Sequence, residues 1–239
     1  MKLLATVISS AEAKLIADLV DLIDVKDPSK GPLGAAGLVT VHSIRSAVGS
    51  HAPLSVALGE LDPNNVGGTV ELGRLMAGAG ATMLKVGLSN IKEQTALKTL
   101  TELKKALSDK VAVAAVAYAD GDELGFFPYF ALPGIAKDAG LDGIMLDTYT
   151  KGENKSLLDY ISSSYIKTII DEGKNLGLKT ALAGGLDLQH IDEISRISPD
   201  WIGFRAAITT EGVREKIGID RSKVNKLKMM IRLAAKKNP

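Results

Sequence analysis

Two lysines of this sequence stand inside or directly after apolar runs, where a cation is costly. Leu22-Ile23-Asp24-Val25-Lys26 reads as a short buried strand, and Asp24 and Lys26 fall two residues apart. On a strand that spacing points both side chains to the same side. Asp27-Pro28 then breaks the strand, because proline has no amide donor and restricts the residue before it. Lys85 lies in Thr82-Met83-Leu84-Lys85-Val86-Gly87, with no polar neighbour on either side. Burial favours a neutral lysine, and a second cation nearby favours it further. A neutral amine attacks carbonyl carbon, so Lys26 and Lys85 facing one cavity point to Schiff-base chemistry, with either as nucleophile. The competing reading pairs each lysine with Asp24 or Asp147 in a structural ion pair. Lys151, in a polar loop, divides evenly between solvation and a part in the site.

Something must carry these residues to one place. Apolar runs at 3–8, 22–26, 54–59, 82–86, 111–119, 143–147, 180–183 and 201–205 read as strands. Helical patterns follow at 10–20, 36–48, 66–79, 91–107, 130–139, 157–176, 191–197 and 223–235, several closed by glycine. Eight strand–helix units in 239 residues, with no linker, predict a single (β/α)8 TIM barrel. An open doubly wound sheet is the rival. Its glycine fingerprint is missing after the first strand, where Ile8-Ser9-Ser10-Ala11 stands.

In such a barrel, reactive residues sit at the carboxyl ends of the strands. Those ends carry Asp24, Lys26 and Asp27, then Glu60 and Asp62, Lys85, Asp120, and Asp147 with Lys151 just beyond. Gly184 and Gly185 after the seventh strand, and Arg205 and Ala206 after the eighth, occupy the positions where these barrels hold phosphate. Glycine lets backbone amides approach an anion, and an arginine adds a charge-assisted contact. Glu60 and Asp62, just before Pro63-Asn64-Asn65, read as caps of the next helix rather than metal ligands. His42, His51 and His190 show no metal spacing, and His42 reads as a packed helical histidine. No required metal and no cofactor are expected. The aromatic cluster at 126–130 reads either as a cover over the barrel mouth or as a subunit contact, which would make the protein a homo-oligomer.

Composition narrows the partners. Lysine and arginine total 29 against 28 acidic residues, so no bulk field draws nucleic acid or an anionic membrane. Cysteine is absent, which excludes disulfides and thiolate chemistry. The apolar start is too short for a signal peptide, and no run is long enough to span a membrane. A cytoplasmic enzyme acting on a small phosphorylated carbonyl compound is expected.

Asp24-Val-Lys26-Asp-Pro-x-x-Gly-x-Leu-Gly34, the Met-Leu-Lys85-Val-Gly strand and Met-Leu-Asp147-Thr-x-x-Lys151 resemble the (5-formylfuran-3-yl)methyl phosphate synthase family over essentially the whole chain. That resemblance implies a TIM-like barrel that condenses two molecules of glyceraldehyde 3-phosphate into a furan aldehyde bearing one phosphate, on the route to methanofuran-type cofactors. It implies Lys26 as the Schiff-base lysine and Lys85 as the proton acceptor, with Asp24, Asp147 and Lys151 completing the pocket. Two rivals stand beside it. A class I aldolase or other phosphosugar lyase or isomerase would release a sugar phosphate without an aromatic chromophore. A non-catalytic phosphosugar-binding barrel would bind ligand without Lys26 and Lys85.

Overall fold

Eight parallel strands close on themselves in chain order. They are β1 (Lys2–Val7), β2 (Leu22–Val25), β3 (Leu54–Glu60), β4 (Met83–Gly87), β5 (Ala112–Tyr118), β6 (Gly143–Asp147), β7 (Lys179–Leu182) and β8 (Trp201–Phe204). The computed structural model describes residues 1–107, 111–151, 155–210 and 218–237. The helices are α1 (Ser10–Ile16), α2 (Leu38–Val48), α3 (Val66–Gly78), α4 (Glu93–Leu107), α5 (Gly121–Leu124), α6 (Leu132–Asp138), α7 (Leu157–Tyr160), α8 (Ser163–Asn175), α9 (Ile191–Ile197) and α10 (Arg221–Lys237). The (β/α)8 barrel expected from the strand and helix pattern is the fold found. No described helix is long and apolar enough to cross a membrane.

Alternation along the strands separates structure from chemistry. One set of side chains, including Val7, Val25, Val56, Leu84, Val86, Ile144 and Ile202, points outward into the apolar layer beneath the helices. Each such aliphatic side chain contributes about 1.5–3 kcal/mol by leaving water. The other set points into the barrel. Register links Thr6 to Asp24, Asp24 to Ser55, Ala57 to Lys85, and Tyr118 to Asp147 across neighbouring strands. Ala57, Val116, Met145 and Ala181 pack with Leu33 as a small interior cluster. The polar inward residues stand with it. Layered filling of this kind makes the barrel a packed core with one working end.

Local departures from the expected elements have local causes. The segment 157–176 is two helices, because Ile161 is extended and Ser162 caps α8 by accepting from the Tyr165 amide. Serine side chains compete for backbone donors, and the run Ser162-Ser163-Ser164 ends one helix and starts another. His42 is exposed on α2, whose buried face is Val41 and Ile44. The packed reading of that histidine is therefore corrected. The cap of α3 is Asn65, which accepts from the Gly68 amide, while Asp62 accepts from the Asn64 amide. Glu60 caps nothing and turns inward instead.

Candidate active site

Asp24 is the centre of a buried charge cluster at the mouth. Its Oδ1 accepts from the Ser55 hydroxyl at 2.7 Å and meets Lys85 Nζ at 2.5 Å. Its Oδ2 accepts from the Thr6 hydroxyl at 2.9 Å and faces Lys26 Nζ at 3.8 Å. The two-residue spacing of Asp24 and Lys26 does place both on one side. Lys26 Nζ then reaches Asp147 Oδ2 at 3.4 Å, and Asp147 Oδ1 accepts from Lys151 Nζ at 2.6 Å and from the Thr148 amide at 2.8 Å. Lys85, Asp24, Lys26, Asp147 and Lys151 thus form one alternating chain of charges drawn from β2, β4, β6 and their loops. Lys151, ambiguous in sequence, belongs to it.

Loops hold the chain in place. After β2, Asp27 caps the turn Pro28–Lys30, and its amide donates to the Gly34 carbonyl. A Cβ on Gly34 would lie 2.1 Å from the Asp27 carbonyl oxygen, so only glycine allows this closure. The closed loop presents the Pro32 carbonyl to Lys26 Nζ at 3.3 Å and buries Leu33 in the barrel interior. After β6, Asp120 accepts from the amides of Tyr149 and Thr150 at 2.7 Å each. That clamp fixes the short segment from which Lys151 reaches back to Asp147.

The cluster is electrostatically uneven. Burial alone would raise Asp24 and Asp147. The ammonium groups of Lys85 and Lys26 on one, and of Lys151 and Lys26 on the other, hold both below the usual carboxylate range. Lys85 goes the other way. It is 2% exposed, and burial, opposed by Asp24 and assisted by Lys26, lowers its pKa to about 8. A proton-accepting amine is therefore available close to neutrality.

Stability carries the same signature. The unfolded chain keeps Lys85 protonated up to its ordinary 10.5, while the folded chain releases that proton near 8. Between those values the unfolded state binds more protons, so stability rises with pH. Compared with Lys85→Met, in which that titration is gone, the wild type is expected to gain about 3 kcal/mol across the window. Urea unfolding at pH 8 and pH 10.5 measures the gain. An unchanged difference between the two proteins would rule out the depressed lysine.

Access favours Lys26. A cavity of about 220 Å³ is lined by Lys26, Asp27, Pro28, Ser29, Gly37 and Thr40, with Ile8 and Ala36. Its size suits a small molecule. Lys85 is not among its walls.

Elsewhere at the mouth, Gly184 and Gly185 have φ of +99° and +60° and pack against Thr148 and against Lys155 and Ser156. Close contact between the loops after β6 and β7 thus accounts for both glycines. Arg205 forms a bidentate pair with Glu12, at 2.7 and 3.1 Å, and also donates to the Thr6 carbonyl. The Glu12 carboxylate also accepts from the Ile8 and Gly218 amides, so the pair ties β1 to the segment after β8. Ala206 is exposed beside it. Gly184 thus meets Thr148, a partner of Asp147 and Lys151, and Arg205 meets Thr6, a partner of Asp24, which sets both beside the five-charge chain.

The aromatic cluster divides. Phe126 packs edge-on against Tyr118 and Tyr149, at centroid distances of 6.4 and 4.8 Å, and Phe127 is buried. Phe130 is 52% exposed. Beneath Phe126 lies a pair that the sequence reading did not assign to the site, the Tyr118 hydroxyl donating to Glu60 Oε1. Its signal is Gly59. Inward residues of β3 are Ser55 and Ala57, and strict alternation would make Gly59 the next. A register irregularity between Ala57 and Glu60, with Gly59 at φ +95°, turns Glu60 inward opposite Gly87 instead.

Comparison with known proteins places this chain in a family. The sequence model of a family described as 4-HFC-P synthase matches residues 3–228. The (5-formylfuran-3-yl)methyl phosphate synthase of Methanocaldococcus jannaschii is 35% identical over 234 residues, covering 95% of this chain and 98% of that protein. The protein of the same name in Methanosarcina mazei is 35% identical over 215 residues, covering 87% and 90%. Among solved structures, 3-hexulose-6-phosphate synthase from Salmonella typhimurium superposes with a TM-score of 0.67 at 18% identity, covering 98% of this chain and 100% of that one. Phosphoribosyl anthranilate isomerase from Thermus thermophilus gives 0.64 at 15%, covering 98% and 99%. Those two share the barrel; the two synthases share about a third of their aligned residues over most of the chain. The chain belongs to the 4-HFC-P synthase family.

Proposed function

We propose that this synthase condenses two molecules of glyceraldehyde 3-phosphate into (5-formylfuran-3-yl)methyl phosphate through an imine on Lys26, for furan-cofactor biosynthesis. The observation that carries the proposal is the alternating chain from Lys85 to Lys151, with Lys26 at its centre and on the cavity wall. Lys26 Nζ attacks the aldehyde carbon of one triose, and water leaves as the iminium forms. The iminium draws electrons from the adjacent carbon, whose proton passes to the Lys85 amine. The resulting enamine carbon adds to the carbonyl of the second triose. Loss of phosphate and water, ring closure and hydrolysis of the imine release the furan and restore Lys26.

Asp24 holds Lys85 and Lys26 together, and Asp147 does the same for Lys26 and Lys151. Lys151 is the cation best placed to meet a substrate phosphate as a point charge. The backbone at Gly184, Gly185 and Ala206 would take the second phosphate, with Arg205 bracing that end through Glu12.

The test uses purified protein and glyceraldehyde 3-phosphate alone, following ultraviolet absorbance, released phosphate and borohydride-trapped peptides. An aromatic absorbance, one phosphate released per furan and an adduct on Lys26 are expected. An adduct with a sugar phosphate product and no absorbance would replace the reading with an aldolase-type lyase. Neither adduct nor product would remove it.

A further inference from the structure

We infer that Glu60, hydrogen-bonded to Tyr118, is the acid that protonates a departing hydroxyl during furan formation. The inference rests on the reaction proposed above. Substrates and product of that reaction differ by one phosphate and two waters, so two hydroxyl groups must leave. Hydroxide is a poor leaving group, and each departure needs a proton donor in reach. The lysines are poorly suited to the task. Lys26 is to be consumed as the imine, Lys85 accepts a proton, and Lys151 is bound to Asp147.

Glu60 differs from the other carboxylates of the mouth. Asp24 and Asp147 each touch two ammonium groups, whereas Glu60 has no lysine or arginine within ion-pair distance among the described residues. One of its oxygens accepts from Tyr118. The other, Oε2, is buried and makes no hydrogen bond of ordinary geometry, with the Ser89 side chain as a further polar neighbour of the carboxyl. A buried carboxylate oxygen without a donor is expensive to keep ionised, and a proton on it relieves the cost. The groups facing Glu60 are Tyr118 on β5, Ser89 after β4, Asp147 on β6 and Lys26 after β2. Burial, assisted by the Asp147 charge and opposed by Tyr118, Ser89 and Lys26, raises its pKa above the ordinary glutamate value. Room has been made for the carboxyl. A Cβ on Gly87 would lie 2.3 Å from Glu60 Oε2 and 2.5 Å from the Tyr118 hydroxyl. The bulge at Gly59 exists on the same strand end and aims the side chain there.

In the step assigned to it, protonated Glu60 gives its Oε2 proton to the hydroxyl oxygen. The carbon–oxygen bond breaks with its electron pair passing to that oxygen, and water departs. The pair that forms the new carbon–carbon double bond comes from a neighbouring carbon–hydrogen bond, whose proton goes to the Lys85 amine. Glu60 is left as the carboxylate, held by the Tyr118 hydroxyl until solvent returns a proton. Lys85 gives up its proton the same way, so no redox partner is required.

The experiment compares wild type with Glu60→Gln in full-length protein, using glyceraldehyde 3-phosphate as the probe. Glutamine keeps the shape and the acceptor for Tyr118 but cannot donate an acidic proton. Furan formation is expected to fall by about 10²–10⁴-fold, the usual worth of a general acid. Borohydride trapping on Lys26 should stay within about twofold, and the melting temperature should be little changed. Furan formation within about threefold of wild type would overturn the inference. Loss of trapping together with furan, in a folded variant, would also overturn it, by making Glu60 a builder of the Lys26 site. Should Glu60→Gln fail to fold, Tyr118→Phe decides: trapping retained with furan formation about tenfold slower supports the assignment, and an unchanged rate removes it. A wild type that makes no furan removes both this inference and the reaction under it, whereas the variant results remove this inference alone.

Discussion

Lys26→Ala is expected to abolish the borohydride-trapped adduct and to slow furan formation by about 10⁴-fold or more, the scale seen when a covalent nucleophile is removed. The loss should appear in kcat, because the imine is formed after binding. The fold should survive. Asp24 keeps Lys85 and two hydroxyl donors, and Asp147 keeps Lys151 and the Thr148 amide, so neither carboxylate is abandoned. Lys85→Ala provides the contrast. It should still trap triose on Lys26 while releasing little furan, since the amine accepting the carbon-bound proton is gone. If the adduct moves to Lys85 in the wild type, the roles of the two lysines are reversed and the Lys26 variant would retain trapping.

Asp24→Ala is expected to cost about 3–5 kcal/mol of folding stability, read from the urea midpoint at pH 7. The carboxylate is fully buried and takes four contacts, from Thr6, Ser55, Lys85 and Lys26. Its removal leaves the Lys85 ammonium in an apolar wall without its counter-ion. Without Asp24, Lys85 sheds its proton below the wild-type value of about 8, so the penalty should shrink as pH rises toward 8 and level off above it. A penalty that is constant with pH would mean that the cost lies in lost packing rather than in the stranded charge. Asp24→Asn keeps the hydroxyl partners and should cost less than the alanine change, while still impairing catalysis.

The barrel was legible because β-strand and helix periods alternate cleanly and glycine closes several helices. Asp24, Lys26 and Lys85 were legible for a different reason: charge inside apolar runs is costly enough to need a partner. What the sequence could not show was which partner. Only the closed sheet brings Asp147, 121 positions away from Lys26 in the chain, within 3.4 Å of it. Glu60 reads as a cap because it stands just before Pro63-Asn64-Asn65, and the irregularity at Gly59 turns it inward instead. Arg205 drew notice as an anion ligand by its place in the barrel. Its engagement with Glu12 depends on α1 folding back over the end of β1, a contact between residues 193 positions apart. The split at Ile161 was hidden by side chains that serve a helix start as well as a helix interior.

Gly59 has a consequence for how such a barrel can change over time. One additional residue in β3 shifts the phase of everything after it by half a pleat, while Val56 and Leu58 before it keep their places under the helices. A deletion there would rotate the acidic side chain out of the chamber and leave the hydrophobic shell intact. The scaffold and its proton chemistry can therefore be inherited separately. Descendants of one ancestral barrel could gain or lose an acid at this position by a change of length, with every residue type retained.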